Sequence, residues 1–275
     1  MGREGWRDRR SSPIREILYG RNAVREALRA GRRRFYKLLL AQGVKETGVI
    51  AEIAAVAGER GVLIQRVERR QLDRIGDVNH QGVAAEVSSY PYVDLEEILA
   101  AIDEGRDTPL LLLLDCLQDP QNLGTLLRTA EAVGAHGVII PRRRAVGITP
   151  AVVNSSAGAV EHLLVARVTN LVRTMEKLKE RGIWVVGLEN VPQAKPYHQA
   201  RLDIPLALVV GSEGQGMRRL VKEKCDLLLR LPMWGKLSSL NAAVAGSIAL
   251  YEVRRQRERR FDILGKSGYT YCTKR

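Results

Sequence analysis

Between Pro205 and Glu252, two short apolar runs each end abruptly in a turn that carries glycine. Leu206 to Val210 runs into Gly211-Ser212-Glu213-Gly214-Gln215-Gly216, and Leu227 to Leu231 runs into Pro232-Met233-Trp234-Gly235. Runs this short, rich in Leu and β-branched residues and bounded by Gly or Pro, read as buried parallel strands. Ser238 and Ser239 then precede a long helix of small residues, with Asn241 expected in its first turn. Two strand ends, two glycine-bearing loops and a helix N-terminus therefore fall close together. Open α/β sheets bind ligands at the carboxyl ends of their strands. This stretch is a ligand site.

Upstream, Leu110 to Leu114 is a run too apolar for an edge strand. Strands at 137–140, 163–165 and 183–188 alternate with helices at 123–133, 149–157 and 170–181. That alternation specifies a parallel sheet covered on both faces. This α/β domain occupies 109–261, and a smaller α/β domain occupies 14–88. In the smaller one, strands at 17–19, 36–40, 62–65 and 82–87 alternate with helices at 21–30, 46–59 and 68–74. Residues 89–108 read as a linker with a short helix, 95–103, that Asp94 can cap. Residues 1–13 read as a disordered basic tail, and 262–275 as a C-terminal tail.

The net charge of +13 points to a polyanionic partner, since Lys and Arg displace counterions from phosphate backbones. Arg21, Arg25 and Arg29 repeat every four residues and share one helix face. That face is either an RNA footprint or, with Glu16 and Glu26 nearby, ordinary solvated surface; the net charge favours RNA. Cys116, Cys225 and Cys272 form no CxxC pair, which fits a reducing, cytoplasmic setting. His80, His136, His162 and His198 lack metal-ligand spacing, and no apolar stretch approaches membrane-spanning length. Neither a metal nor a membrane partner is expected.

Three loops carry the chemistry. After 110–114, Pro120 sets a turn and Asn122 is a good N-cap. Arg128 lies four residues beyond Gly124 and is expected to reach back over it, making an anion site at the helix's positive end. A cap plus an Arg128–Glu131 surface pair explains the same residues equally well. The turn 211–216 lets backbone amides approach a ligand closely, and it matches neither GxGxxG nor a P-loop. Capping is the plainer role for Glu213. In the last helix, Leu240, Val244, Ile248 and Tyr251 form the apolar face. Ala242, Ala243, Ala245, Gly246 and Ala249 keep that helix thin enough to pack closely on another helix or subunit. Capping accounts for Ser238 but poorly for Asn241, a weak helix former away from caps.

In this order, DPQNLGTLLRTA (119–130), LVVGSEGQGM (208–217) and LPMWGKLSSLNAAVAGSIALYE (231–252) resemble the motifs of the SPOUT class of S-adenosylmethionine-dependent RNA methyltransferases. Within that class the resemblance is to the SpoU/TrmH family. ILYGRNAVREAL (17–28) and HQGVAAEV (80–87) are similar to that family's RNA substrate-binding domain, which looks like kink-turn-binding ribosomal proteins. The resemblance implies a C-terminal knotted (trefoil) parallel-sheet domain, a homodimer with its active site at the interface, and S-adenosylmethionine as cofactor. It carries cofactor contacts to Gly211, Leu231 and Leu240, and catalytic positions to Asn122, Arg128, Glu213, Ser239 and Asn241.

The branch it resembles most acts on a guanosine 2′-hydroxyl of 23S ribosomal RNA. Transfer-RNA ribose methylation uses the same motifs, and the extra N-terminal domain favours ribosomal RNA. A non-catalytic RNA-binding protein on this fold has no need of Asn122, Arg128 and Asn241 together. An oxidoreductase needs the dinucleotide fingerprint, and a base methylase needs a cysteine nucleophile in an active-site loop.

Overall fold

The structure is a computed structural model that describes residues 14–105 and 107–263. The tail expected over 1–13, and residues 264–275 of the other, lie outside the described residues. The chain divides into two compact units, Met1–Pro91 and Tyr92–Arg275.

The first unit runs β1 (Arg15–Tyr19), α1 (Arg21–Ala30), β2 (Phe35–Ala41), α2 (Val49–Glu59), β3 (Ile64–Val67), α3 (Arg69–Asp73) and β4 (Val83–Ser88). Its sheet has the order β1-β4-β2-β3. The sheet is mixed, because β4 enters antiparallel between β1 and β2 while β2 and β3 are parallel. Val83, Ala84, Ala85 and Val87 are all buried, as a central strand covered on both faces must be. The arginine face of α1 is less free than its spacing suggests. Arg21 donates to the Gln81 carbonyl at 3.2 Å, Arg25 pairs with Glu26 at 2.7 Å, and Arg29 pairs with Glu52. Much of that charge is spent inside the unit.

The second unit opens with α4 (Leu95–Glu104), β5 (Leu110–Asp115), α5 (Pro120–Ala132), β6 (Gly137–Pro141), α6 (Pro150–Ser155) and β7 (Val165–Val168). It continues α7 (Leu171–Glu180), β8 (Trp184–Leu188), β9 (Lys195–Pro196), β10 (Leu206–Gly211), α8 (Arg219–Glu223), β11 (Leu227–Arg230) and α9 (Ala242–Ile263). The segment read as a linker contributes to this core, because Ile98, Leu99 and Ile102 of α4 are buried in it. The last helix extends two residues past the expected boundary at 261, to Ile263.

The seven strands are parallel, in the order β7-β6-β5-β10-β8-β11-β9. Period-two alternation sends Leu111, Leu113, Ala207 and Val209 into one cluster with α4, α7 and α8. Val210, of opposite parity, meets Gly246 of α9, which also touches Leu126 of α5. Helices therefore cover both faces. Since β10 lies between β5 and β8, the chain steps outward from β5 to β7 and later returns to the centre. That reversal in strand order opens a crevice at the carboxyl edge.

Arg257 ties the opposite edge together. Its guanidinium donates to the carbonyls of Thr108, Pro109 and Ile204 at 2.7, 2.8 and 2.9 Å, just ahead of β5 and β10. Burial, then the nearby Arg254, lowers its pKa to about 10, so it stays charged at neutral pH. Arg257→Met strips buried carbonyls of their donor and should cost roughly 2–4 kcal/mol. A urea titration measures this; an unchanged midpoint would mean water replaces the guanidinium without loss.

Candidate active site

Because the strands are parallel, β5, β8, β10 and β11 all end on one edge, at Asp115, Leu188, Gly211 and Arg230. The turn after β10 folds back on itself, with Ser212 and Gly216 exchanging backbone bonds of 3.1 and 3.0 Å. Gly211 is required by this closeness. A Cβ there would sit 2.6 Å from the Gly216 carbonyl oxygen, and closer still to the Gly216 carbonyl carbon and the Met217 nitrogen.

Two carboxylates hold the foot of the turn. Asp115, fully buried, accepts from the Arg218 backbone N–H at 2.8 Å and from its Nε at 2.7 Å. Glu189 accepts from the Met217 N–H at 3.2 Å. Sequence reasoning gave these residues no role, yet one clue was available. An aspartate that ends an otherwise apolar strand is buried, and a buried charge needs a partner.

The crevice between this turn and the 231–242 segment is a cavity of about 650 Å³. Gly211, Leu231 and Leu240, the expected cofactor contacts, line it together with Glu213, Ser239 and Asn241. Asn122 joins them through hydrogen bonds. Its side-chain amide donates to the Glu213 carboxylate, and its oxygen accepts from Asn241 Nδ2 at 2.9 Å. The Asn241 oxygen in turn accepts from the backbone N–H groups of Ala243 and Val244 at 2.9 and 3.2 Å. This fixed chain of amides sets which way each one points. It ties Glu213 to the first turns of two helices.

Three expectations need correction. Asn241 is not inside the helix. It precedes α9, which starts at Ala242, and its side chain caps the first N–H groups, so the residue that seemed misplaced occupies its preferred position. Asn122 is not the cap of α5. Asp119 is, accepting from Gln121 and Asn122 N–H at 3.1 and 3.3 Å, which leaves the Asn122 side chain free for the site.

Arg128 does not lie over Gly124. A Cβ on Gly124 would overlap the Ser155 hydroxyl, so α6 fills that space. Arg128 is exposed, and among the described residues it makes neither a hydrogen bond nor an ion pair, with Glu131 or any other group. It lies six residues beyond Asn122, about 9 Å along the helix and roughly 120° around it. Within one chain no hydrogen bond joins the two.

In α9 the small residues make the close helix-to-helix packing, as their size allows, and the large apolar face points outward. Ala243, Gly246, Ala249, Leu250 and Val253 pack inward. Leu240, Val244, Ile248 and Tyr251 stay exposed at 41%, 46%, 37% and 56%. Beside this stripe, the hydroxyls of Ser247 and Thr129 meet at 2.8 Å, with Arg128 next in the chain.

Among the described residues, no group of His, Cys, Asp and Glu could hold a metal, and no helix is long and apolar enough to cross a membrane. A model of the SpoU rRNA methylase family matches residues 109–251. A second, of the RNA 2'-O ribose methyltransferase substrate-binding domain, matches residues 17–93. The chain is 49% identical over 242 residues to YacO of Bacillus subtilis (strain 168), assigned to the TrmH family of tRNA/rRNA methyltransferases; the match covers 88% of this chain and 96% of YacO. The fold matches the SpoU methyltransferase AviRb of Streptomyces viridochromogenes in complex with AdoMet, at TM-score 0.74 and 26% identity, over 89% of this chain and 91% of that one. The AdoMet-bound rRNA methyltransferase of Sinorhizobium meliloti matches at TM-score 0.71 and 26% identity, over 88% and 87%.

Proposed function

The chain belongs to the SpoU rRNA methylase family, and on that premise we propose that it methylates a guanosine 2′-hydroxyl of 23S ribosomal RNA. At the coarser level it is an RNA 2′-O-ribose methyltransferase that uses S-adenosylmethionine. The observation that carries the reading is the convergence of three separated loops on one cavity, with Asn122, Glu213 and Asn241 bonded into a chain at its rim. Its volume, about 650 Å³, suits a cofactor of that size. The bound donor supplies an already activated methyl group. What is left for the protein is to hold the hydroxyl in line and to ease loss of its proton.

Each residue then has a role. Gly211, Leu231 and Leu240 hold the donor through backbone groups of their loops. Glu213, Asn122, Ser239 and Asn241 shape the rim where the ribose enters. A guanidinium offers donors and no acceptor, so Arg128 acts as a phosphate anchor that lowers the cost of the developing alkoxide, not as a base.

Because Arg128 is exposed and makes no bond to Asn122 or any other described group of its own chain, we assign it to the pocket of a second copy. The α9 stripe is the contact surface of that homodimer. Its exposed apolar residues, contiguous along one helix face, are what a helix-to-helix interface buries. We further propose that 205–252 is threaded as a trefoil knot. Two contacts support this by bringing the loops concerned together: Asn190 donates to the Ser238 carbonyl at 2.7 Å, and Asn241 donates to Asn122 at 2.9 Å. Free thiols at Cys116 and Cys225 fit a cytoplasmic setting.

The deciding experiment incubates the protein with labelled S-adenosylmethionine and separate ribosomal and transfer RNAs, then maps ribose methylation. Label in 23S RNA supports the reading. Label only in transfer RNA assigns the enzyme to the other substrate. For the dimer, Val244→Glu with Ile248→Glu should give a monomer by light scattering and reduce methyl transfer at least tenfold, since burying two carboxylates is prohibitive. A wild-type monomer with full activity would overturn the shared site.

A further inference from the structure

Across the glycine turn from the donor pocket lies a second cavity of about 440 Å³, walled by Cys116, Arg144, Arg218 and Arg219. Glu213, Gln215 and Gly216 line both cavities, so the turn is their common wall. Two residues of the second cavity hold left-handed backbone conformations, Cys116 at φ +62° and Arg144 at φ +61°. Such conformations are unfavourable for L side chains, persist where surroundings impose them, and concentrate at functional sites.

The surroundings here are specific. Val146 donates to the Leu117 carbonyl at 3.0 Å, and Ile148 to the Tyr92 hydroxyl at 2.6 Å. Arg142 and Arg167 exchange guanidinium-to-carbonyl bonds of 3.1 and 3.0 Å. The loop after β6 is thus pinned at both ends, with Arg144 held on the cavity wall.

The charges in the cavity are unequal. Arg218 is neutralised by buried Asp115. Arg219 pairs with Glu223 at 2.8 Å, but both side chains are exposed, and such pairs are weak in water. Arg144 makes no hydrogen bond or ion pair among the described residues. One carboxylate lines the cavity, Glu213, which accepts from the Asn122 amide; the Cys116 thiol, pushed up by burial and by Asp115, adds no negative charge. The cavity therefore sets two available guanidinium groups, besides the neutralised Arg218, against a single lining carboxylate. A guanidinium fork matches the oxygens of a phosphate.

The geometry points to a binding site for a phosphodiester of the RNA strand beside the target ribose, with Arg144 and Arg219 as its ligands. The inference rests on the RNA methyltransferase reading above and adds a positioning site to it. With donor and RNA backbone docked on opposite walls of one short turn, their separation is set by the turn itself, as in-line transfer requires.

The test uses full-length protein, an unmodified 23S ribosomal RNA transcript as probe, and the variants Arg144→Asn, Arg219→Gln and the double. Asn tolerates the left-handed conformation, so the first change removes the guanidinium without adding strain. RNA binding is measured across a potassium chloride series, and S-adenosylmethionine binding by calorimetry. The double variant should bind RNA roughly tenfold more weakly, with a salt slope shallower by about one, as loss of phosphate contacts dictates. Donor affinity should not change, Arg144→Lys should recover most of the slope, and in turnover the loss should fall on KM for RNA. RNA affinity and slope equal to wild type in the double variant would overturn the site. If wild type methylates neither RNA, the enzymatic reading falls, while the binding series still decides this cavity.

Discussion

Replacing Arg128 by alanine should lower kcat for RNA methylation by roughly 10²–10³, the loss typical when one donor facing a developing oxyanion is removed. S-adenosylmethionine should bind as before, because Arg128 does not line the 650 Å³ cavity. The reason lies in its placement. Arg128 is exposed on α5 and unpaired among the described residues, with no bond to the chain of amides at the cavity rim. An unpaired guanidinium costs the fold nothing when removed, so the variant should melt at the wild-type temperature. Lysine should restore only part of the rate, since a point charge replaces a planar two-toothed fork. Single-turnover kinetics at saturating donor isolates the chemical step, and a phosphate anchor predicts a defect there that is independent of pH. Turnover near wild type would refute the role.

The sequence makes the second unit more legible than the first for a physical reason. Parallel strands buried on both faces announce themselves as unbroken apolar runs, and Leu110–Leu114 and Leu206–Val210 each became strands at those positions, while the less buried run from Leu227, broken by Arg230, became the strand Leu227–Arg230. In the first unit the strands are equally visible, but their order is not. Nothing local in Val83–Ser88 says that it inserts antiparallel between β1 and β2, because pairing direction depends on partners far away in the chain.

In α9 the sequence shows both faces but not which one the core takes. The core accepts the small side, where Gly246 brings the helix against Leu126 and Val210, and Leu240, Val244, Ile248 and Tyr251 stay exposed. The large apolar residues on the outer side, and the unpaired Arg128, are what the proposed homodimer would engage, and a single chain cannot display that. Asn241 illustrates a local error. Starting the helix at Ser238 or Ser239, when it begins at Ala242, makes a good cap look like a poor interior residue.

Gly211→Ala should weaken S-adenosylmethionine binding by about 100-fold or more, near 2.7 kcal/mol. The added methyl would meet main-chain atoms of Gly216 and Met217, not a side-chain tip that can swing aside. Overpacking of this kind costs about 1–3 kcal/mol, and the turn can relieve it only by opening. Opening breaks the Ser212–Gly216 pairing and moves Glu213 away from Asn122, so the cavity loses its wall and part of its rim.

Gly214→Ala is the control. That residue sits at φ +80° with open space around its would-be Cβ, so alanine there brings backbone strain of about 1–2 kcal/mol without collision. Calorimetry should therefore rank donor affinity as wild type, then Gly214→Ala, then Gly211→Ala far below. Thermal melting without donor should show that all three are folded, and only Gly211→Ala should lose the rise in melting temperature that donor produces. If Gly211→Ala binds the donor as well as Gly214→Ala does, the closed form of the turn is not what the cofactor recognises, and the donor site must be sought elsewhere on this edge.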